Sequence, residues 1–420
     1  MVKHMGRHAV SGCDHIGETA PGGWTTGALR VCEVVKTLDT GGTEVLLVER
    51  LLAARRRFAD QRGSAVTYTV ICLRASTGDL IARLRSAGVT VIDLSSCPRA
   101  LVYARLVATV RRMAPHVLNV HSPAPAIALR PFVRLARRRP ALVSTVHGVQ
   151  WAKTMHLDRL TRRLDDRTVA VSPTVATSRA VRGARHVLTR VHGVDVEGQR
   201  WWAARAAAVR REFDVPDSAF LCVTVANFRV EKNHRMLVQA AAEVARARPH
   251  AVFMLAGDGP LQDDTVRDVR RRRLDGTVRV LGPVPGARRL IAAADLLVLS
   301  SDYEGLPVVV MEALAAGVPV VSTRVGGLAD LITAGWNGIL TEPGSPGALA
   351  RGVIQAMEPR AHRELRAGAQ ASANTVDIAE TAEWFEELYE DLARSRDRRT
   401  RGLTSHRPPR ASGVPGRAGR

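Results

Sequence analysis

Two glutamates eight positions apart, Glu304 and Glu312, are the most informative chemical groups in the sequence. Glu304 lies in the loop segment SDYEGLP, and Glu312 lies in a helix predicted to begin near Pro307. Gly305 permits close approach of backbone to a ligand, and a helix N-terminus favours a diphosphate. Two carboxylates at this spacing can meet one elongated ligand at two points, and a carboxylate accepts both hydroxyls of a ribose diol. The spacing leaves open that Glu304 merely caps the helix and that Glu312 is only exposed.

Two cations, Arg229 and Lys232, lie in the segment ANFRVEKNH, beside a second predicted helix start. A departing diphosphate develops negative charge, and without a metal ion it needs nearby cations for stabilisation. The alternative is a loop that is simply charged at the surface.

The first half of the chain offers weaker candidates. Gly42, in the segment DTGGTE, follows the first predicted strand and opens a helix, which is a geometry that tolerates phosphate. His147 ends the predicted strand Ala141–Val146. A lone histidine at a strand end more often packs or forms hydrogen bonds than takes part in catalysis.

These loops need parallel sheets to position them. Short runs rich in Val, Ile and Leu alternate with helical patterns through two successive blocks, which predicts an α/β protein with two Rossmann-like, doubly wound domains. A linker is expected between Gly193 and Pro216, and the last helical face runs from Asp377 to Arg394. The predicted segments are a disordered N-terminal tail 1–27, a first domain 28–198, a second domain 199–376, a C-terminal crossing helix 377–395 and a disordered basic tail 396–420.

Composition limits the class of protein. The 420 residues, with 46% hydrophobic and 24% charged content, exclude a mostly disordered, collagenous or disulfide-stapled chain. Five scattered cysteines without a CxxC pair favour a reducing compartment and argue against structural zinc. No apolar run reaches the ~20 residues that span a bilayer, and no secretory signal is evident. We therefore expect a cytoplasmic protein, either soluble or held peripherally at the inner face of the membrane.

The net charge of +21 is concentrated in two basic regions. One is the tail from Arg394 to Arg420, and the other is the arginine cluster within Ala126–Arg139, which is interleaved with apolar residues. Such clusters are either solvated charge or a surface that attracts anionic lipid or nucleic acid. In a helical Ala126–Arg139 segment, we expect apolar groups to face the core and arginines to face an anionic surface. Aromatic content of 4% and the lack of a recognition helix argue against specific nucleic-acid binding.

Taken together, the motifs resemble family 4 of the glycosyltransferases, which has the GT-B fold. The segment DYEGLPVVVMEALAAGVPVVSTRVGG, with its E-x7-E element, is the most specific match. AGDGPL, VEKNH, GGTE, VSTVHG and the AVSP…HGVD segment occur in the expected order, and the resemblance covers roughly residues 28–395. It implies a retaining hexosyl- or pentosyltransferase that moves a sugar from a nucleotide-sugar donor to a glycolipid, polysaccharide or small-molecule acceptor.

The resemblance also implies roles for individual residues, with the donor held by the second domain and the acceptor by the first. By this resemblance Glu312 holds the ribose diol and Glu304 the donor sugar, while Lys232 contacts the diphosphate. The remaining implied donor contacts are the backbone of Gly305, Leu306 and Pro307, with Gly42 near the phosphate and His147 near the reacting centre.

One departure from the family pattern concerns charge. Asn227 stands where the family usually has Arg, so that Arg229 becomes the candidate for the second cation. No metal or other cofactor is expected. The alternatives are another GT-B nucleotide-sugar enzyme, such as a hydrolase or epimerase, a non-catalytic subunit, or a basic nucleic-acid-binding protein. The nucleotide base, the sugar, the acceptor and the linkage stay open.

Overall fold

The computed structural model describes residues 28–38, 42–59, 66–75, 78–136, 139–148 and 152–404. The side chains of residues 58, 59, 152, 153 and 397–404 are not described. The predicted tail 1–27, Arg137, Arg138 and residues 405–420 lie outside the described residues.

The first domain is built on a parallel seven-stranded sheet with the order β3-β2-β1-β4-β5-β6-β7. Its strands are β1 (Leu29–Thr37), β2 (Val66–Arg74), β3 (Thr90–Asp93), β4 (Val117–Val120), β5 (Ala141–Val146), β6 (Arg167–Ala170) and β7 (Val187–Thr189). Its helices are α1 (Gly42–Ala59), α2 (Asp79–Ser86), α3 (Val102–Met113), α4 (Pro123–Leu135), α5 (Ala152–Arg162) and α6 (Pro173–Thr177). Strand β1 pairs with both β2 and β4, so that the strand order reverses beside β1. Ligand crevices of open α/β sheets form at such points, beyond the carboxyl ends of the strands.

The second domain repeats this plan with a six-stranded sheet of order β10-β9-β8-β11-β12-β13. Two short helices, α7 (Val196–Ala203) and α8 (Ala206–Glu212), precede it. The strands are β8 (Phe220–Val225), β9 (Ala251–Ala256), β10 (Val278–Gly282), β11 (Leu296–Leu299), β12 (Val320–Thr323) and β13 (Gly338–Thr341). The helices are α9 (His234–Ala247), α10 (Gln262–Arg271), α11 (Arg288–Ala292), α12 (Val308–Ala315), α13 (Leu328–Leu331), α14 (Pro346–Ala356) and α15 (Pro359–Ser372). All its strand pairs are parallel, and the order reverses between β8 and β11.

The final helix, α16 (Ile378–Thr404), returns to the first domain. Phe385 and Tyr389 are fully buried in the core that α16 forms with α1 and β1. The helix ends at Thr404, whereas the sequence placed its end at 395 and a disordered tail after it. Arg396 shows how the extension is held, since its guanidinium donates to the Asp166 carboxylate at 2.9 Å.

Both connections between the domains run side by side. Val194 accepts a backbone hydrogen bond from Ile378 and donates one to Val376. A side chain at Gly193 would overlap the backbone of Asp377, with a Cβ only 2.3 Å from its carbonyl carbon. The chain therefore crosses out of and back into the first domain at a single narrow place.

The basic segment Ala126–Arg139 differs from the expectation. Arg130 faces inward, where it is fully buried and bonded to Asp158 and Asp165, whereas Phe132 and Leu135 are 50% and 83% exposed. The partners of Arg130 come from later parts of the chain, which the amphipathic pattern of one helix cannot show. Among the described residues, no helix is both long and apolar enough to span a membrane.

Candidate active site

The carboxyl ends of the two sheets face one another across a cleft. One cavity of about 300 Å³ lies between the domains, bounded by the start of α1, the loop after β5 and the loop before α12. Its lining includes four of the predicted site residues, Gly42, His147, Gly305 and Leu306. The topology thus brings together loops that are more than 250 residues apart in sequence.

Glu304 and Lys232 form an ion pair at the carboxyl edge of the second domain's sheet. The Lys232 Nζ donates to Glu304 Oε1 at 2.6 Å, and Ser301 Oγ donates to the same oxygen at 2.7 Å. Glu304 is 7% exposed. Pro307 is the N-cap of α12, and no side chain there forms a capping hydrogen bond. Glu304 is therefore not a helix cap, and its carboxylate instead binds the ammonium group of Lys232.

Neighbouring groups fix the loop around Glu304. Ser300 Oγ donates to the carbonyl oxygens of Lys232 and Asn233, at 2.9 and 3.0 Å. A Cβ at Gly326, whose φ is +48°, would lie 1.9 Å from the Glu304 carbonyl oxygen, and a Cβ at Gly327 would lie 2.0 Å from that of Gly305. These glycines are required because only a residue without a side chain allows so close an approach.

Glu312 lies on α12 and is partly exposed. Burial raises its pKa to about 7; Arg288 lowers the pKa and Glu49 raises it. Glu49, on α1 of the first domain, pairs with Arg83 at 2.7 Å and with Arg288 at 3.5 Å. No hydrogen bond to the Glu312 side chain is found within the described residues, so its carboxyl group is available to a ligand.

The other predicted donor-binding residues differ in whether the structure brings them near the cleft and the Lys232–Glu304 pair. Leu306 packs in the apolar cluster that joins the domains, and a Cβ at Gly42 would lie 3.2 Å from Val308 Cγ2. Pro307 follows directly and caps α12. Arg229 is exposed, and its side chain forms no hydrogen bond or ion pair with another described residue. The structure thus brings Lys232 to Glu304 but does not bring Arg229 to either of them.

His147 is the end of a buried chain of hydrogen bonds. Its Nε2 lies 3.0 Å from His121 Nδ1, and His121 Nε2 lies 2.7 Å from Glu33 Oε2. Burial lowers the pKa of His147 well below its ordinary value, and the adjacent His121 and His192 lower it further. His147 is therefore neutral at neutral pH, and the chain from Glu33 fixes the orientation of its ring.

Glu33 is the charged end of this chain and is completely buried. Its other oxygen accepts from Arg50 at 2.7 Å and from the Tyr389 hydroxyl at 2.8 Å. Burial alone would raise its pKa, but Arg50 and His121 hold the pKa of Glu33 at about 2. The carboxylate is therefore ionised across the physiological range, and through Tyr389 it ties α16 to the base of the His147 site.

Sequence reasoning missed Glu33, His121, Arg50 and Tyr389. A signal existed for Glu33, because a charged residue interrupts the apolar strand β1 and must find partners if buried. Its partners come from α1, β4 and α16, and nothing in the sequence pairs them. Among the described residues, no group of three or more His, Cys, Asp or Glu side chains could hold a metal ion.

Two doubly wound domains that face a cleft, joined by paired crossings and a returning C-terminal helix, define the GT-B fold. The structure superposes on the Anabaena protein HepE, crystallised with UDP and glucose, with a TM-score of 0.75 at 20% identity over 86% of this chain and 100% of that one. It also superposes on a sucrose-phosphate synthase from Thermosynechococcus elongatus, with a TM-score of 0.70 at 17% identity over 87% and 100% of the two chains.

Sequence comparison indicates which group of GT-B proteins this chain resembles. Residues 219–359 match the family model described as glycosyl transferases group 1. The chain is 28% identical to N-acetyl-alpha-D-glucosaminyl L-malate synthase of Bacillus anthracis, over 66% of this chain and 75% of that protein. It is 30% identical to 2-deoxystreptamine glucosyltransferase of Streptomyces kanamyceticus, over 59% and 66%. Together these matches support a group 1 glycosyltransferase with the GT-B fold.

Proposed function

We propose that the protein is a retaining, metal-independent glycosyltransferase that moves a hexosyl or pentosyl group from a UDP-sugar to an acceptor. The observation that carries the proposal is the Lys232–Glu304 pair, because the residue next to Glu304 in the chain, Gly305, lines the interdomain cavity together with neutral His147. The choice of UDP rests on the HepE complex, since that protein has the same fold and was crystallised with UDP and glucose.

In this proposal each residue has one task. Glu312 accepts the two ribose hydroxyls, and Lys232 moves toward the diphosphate when it arrives. Glu304 then turns its carboxylate to the hydroxyls of the donor sugar. The backbone of Gly305, Leu306 and Pro307 contacts the diphosphate and sugar, and His147 binds the sugar from the first domain, near Gly42.

The chemistry follows from charge. The bond from the anomeric carbon to the diphosphate oxygen breaks, and its electron pair leaves with the diphosphate. Lys232 stabilises that charge, and such preorganised contacts contribute most when charge develops. The acceptor hydroxyl forms the new bond on the face that the diphosphate leaves, and its proton passes to the departing phosphate.

The first test compares two cations of the same loop. Lys232→Ala should lower the turnover of a UDP-sugar by ~10²–10³-fold, the scale found when one charge-stabilising group is lost. Arg229→Ala is the matched control, because Arg229 is exposed and lies outside the Glu304 cluster. Equal losses in both variants would contradict the role given to Lys232.

Stereochemistry and metal dependence are tested on the wild-type protein. NMR of the product should show the anomer of the donor, and activity should persist in excess EDTA. An inverted product, or loss of activity in EDTA that Mg²⁺ or Mn²⁺ restores, would refute the proposed mechanism. Sugar release without any acceptor product would instead favour a hydrolase.

We also propose peripheral contact with anionic membrane, through a surface defined by the exposed apolar residues of α4 and α5. These residues are Phe132, Leu135, Leu157 and Leu160, each at least 50% exposed. A surface that combines arginines with exposed apolar side chains favours binding at the interface between water and a membrane of acidic lipid. The double variant Phe132→Ser/Leu135→Ser should sediment less with anionic vesicles than wild type does, and neutral vesicles should retain neither protein. Equal binding of wild type to both kinds of vesicle would refute the electrostatic part of this proposal.

A further inference from the structure

A second cavity, of about 540 Å³, lies within the first domain. It is bounded by the ends of β4 and β5 and by α4 and α5. It shares Thr43, His147 and Gly148 with the interdomain cavity, so the two cavities meet at His147. Its volume suits a small molecule. On the proposed function, the molecule that enters here lies beside the donor sugar and is the acceptor.

Arg162 lines this second cavity and has guanidinium nitrogens without hydrogen-bond partners among the described residues. The residue is 1% exposed and pairs with Asp158 through one nitrogen only. Its Nε and Nη1 are buried and have no hydrogen-bond partner among the described residues. Burying guanidinium N–H groups without partners is costly, so a lining arginine in this state calls for an acceptor of hydrogen bonds.

The neighbouring Arg130 shows the contrast. It lines the same cavity, but its guanidinium is fully used by Asp158, Asp165, Thr161 and Ser144, at 2.6 to 3.1 Å. Arg130 therefore links α4 to α5 through its hydrogen bonds, and no N–H group of its guanidinium remains for a ligand.

Charge in the cavity also favours an anion. Lys36 also lines this cavity, is exposed, and forms no ion pair with another described residue. Together Lys36, Arg130 and Arg162 carry three positive charges against the two carboxylates of Asp158 and Asp165. The side chains that line the cavity and their ion-pair partners therefore leave one positive charge unmatched.

The start of α4 adds a third feature to the same wall. Its N-cap, Ser122, forms no side-chain capping hydrogen bond, and both Ser122 and Ala124 line the cavity. Pro123 and Pro125 have no N–H, so the N–H of Ala124 is the free donor of the first turn. The positive end of the helix dipole thus points into a cavity that already has excess positive charge.

We infer that the acceptor is a small hydroxylated molecule with an oxyanion group, either a carboxylate or a phosphate, which Arg162, Lys36 and the start of α4 bind in this cavity. The inference rests on the proposed function and specifies its acceptor class. The oxyanion takes the unpaired N–H groups of Arg162, and a hydroxyl of the same molecule then lies toward His147 and the donor sugar.

The test uses three probes with one carbon skeleton: D-glycerate, glycerol 3-phosphate and neutral glycerol. Binding is measured by saturation-transfer NMR on the full chain saturated with UDP, at matched ionic strength. At least one anionic probe should bind about tenfold more tightly than glycerol, and the better of the two shows which oxyanion the cavity takes. If glycerol binds as well as both anions, or if none of the three binds, the inference is wrong.

Variants link the anion to its site. Lys36→Met and Arg162→Lys should each weaken the anionic probe by about tenfold, since the first removes a charge and the second removes the unpaired Nε and Nη1 donors. Arg162→Lys keeps a positive charge beside Asp158. The matched control, Arg111→Met, changes an exposed cation on α3 outside the cavity and should leave probe binding unchanged. Equal weakening in all three variants would show general electrostatics and overturn the site.

Affinity for UDP, measured first on the same samples, separates the two proposals. Normal UDP binding without any preference for the anionic probes refutes the acceptor class and leaves the proposed function standing. Failure to bind UDP removes the proposed function itself.

Discussion

The buried Glu33 can be compared directly with an exposed glutamate in a salt bridge of the same length. Glu33 pairs with Arg50 at 2.7 Å, with side chains 0% and 1% exposed. Glu383 pairs with Arg57 at the same 2.7 Å, with side chains 50% and 35% exposed. Both arginines lie on α1, and the two pairs differ in their access to water and in the bonds from Tyr389 and His121 that Glu33 alone receives.

We predict that Glu33→Gln destabilises the protein by about 3–5 kcal/mol, the cost of leaving one member of a buried ion pair uncompensated. Glu383→Gln should cost at most ~1 kcal/mol, because exposed pairs are screened by water and salt. The double variant Glu33→Gln/Arg50→Met should recover part of the loss, since no lone charge then remains buried.

Urea unfolding followed by circular dichroism measures the three variants. Hydrogen exchange of the β1 amides assigns the loss to the first domain, where these residues lie. The pKa of Glu33 is held at about 2, so its contribution is present above the pKa of an ordinary glutamate and is lost only as pH falls toward 2. If Glu33→Gln and Glu383→Gln cost the same within about 0.5 kcal/mol, burial does not control the strength of this pair.

Three further predictions concern the cleft. Because the pKa of Glu312 is raised to about 7, its contribution to stability is present below the ordinary pKa of glutamate and is lost as pH rises through 7. The variant Glu312→Gln should therefore show a smaller change in thermal unfolding temperature between pH 5 and 8.5 than the wild-type protein does. The same variant should weaken UDP binding above pH 7, measured by calorimetry, because Gln cannot supply a charged acceptor. A Cβ at Gly305 would lie 3.0 Å from the His147 carbonyl oxygen, so Gly305→Ala should lower turnover by at least tenfold, while Gly148→Ala, with no atom nearer than 3.9 Å, should change it little.

The sequence indicated which residues of the second domain lie close together better than it did for the first domain. Glu304 lies in the loop after β11, and Lys232 lies in the loop after β8. Strands that run parallel place such loops at one edge of the sheet. The order of the chain therefore sufficed to bring these two residues together. Arg229 lies in the same loop, but its exposed direction depends on the 3-10 turn Val230–Lys232, which spacing alone does not reveal.

The first domain's site depends on contacts that sequence order does not predict. Glu33, His121 and Tyr389 lie on β1, after β4 and on α16, and their hydrogen bonds join positions up to 356 residues apart. Arg130 illustrates the same limit, because its aspartates decide that it faces inward while Phe132 is left exposed. Helical periodicity assigns charged residues to solvent, and it fails where a buried partner compensates the charge.

The polar groups of the cleft are divided between the two domains. On the proposed function, the second domain supplies Glu304, Lys232 and Glu312 for the sugar, the diphosphate and the ribose of the donor. The first domain supplies His147, whose ring is fixed from below by His121 and Glu33. Leu46 of the first domain and Met311 of the second belong to one apolar cluster shared by both domains. An ion pair between Glu49 and Arg288, at 3.5 Å, also joins the two domains, so the seam combines apolar packing with a charged contact.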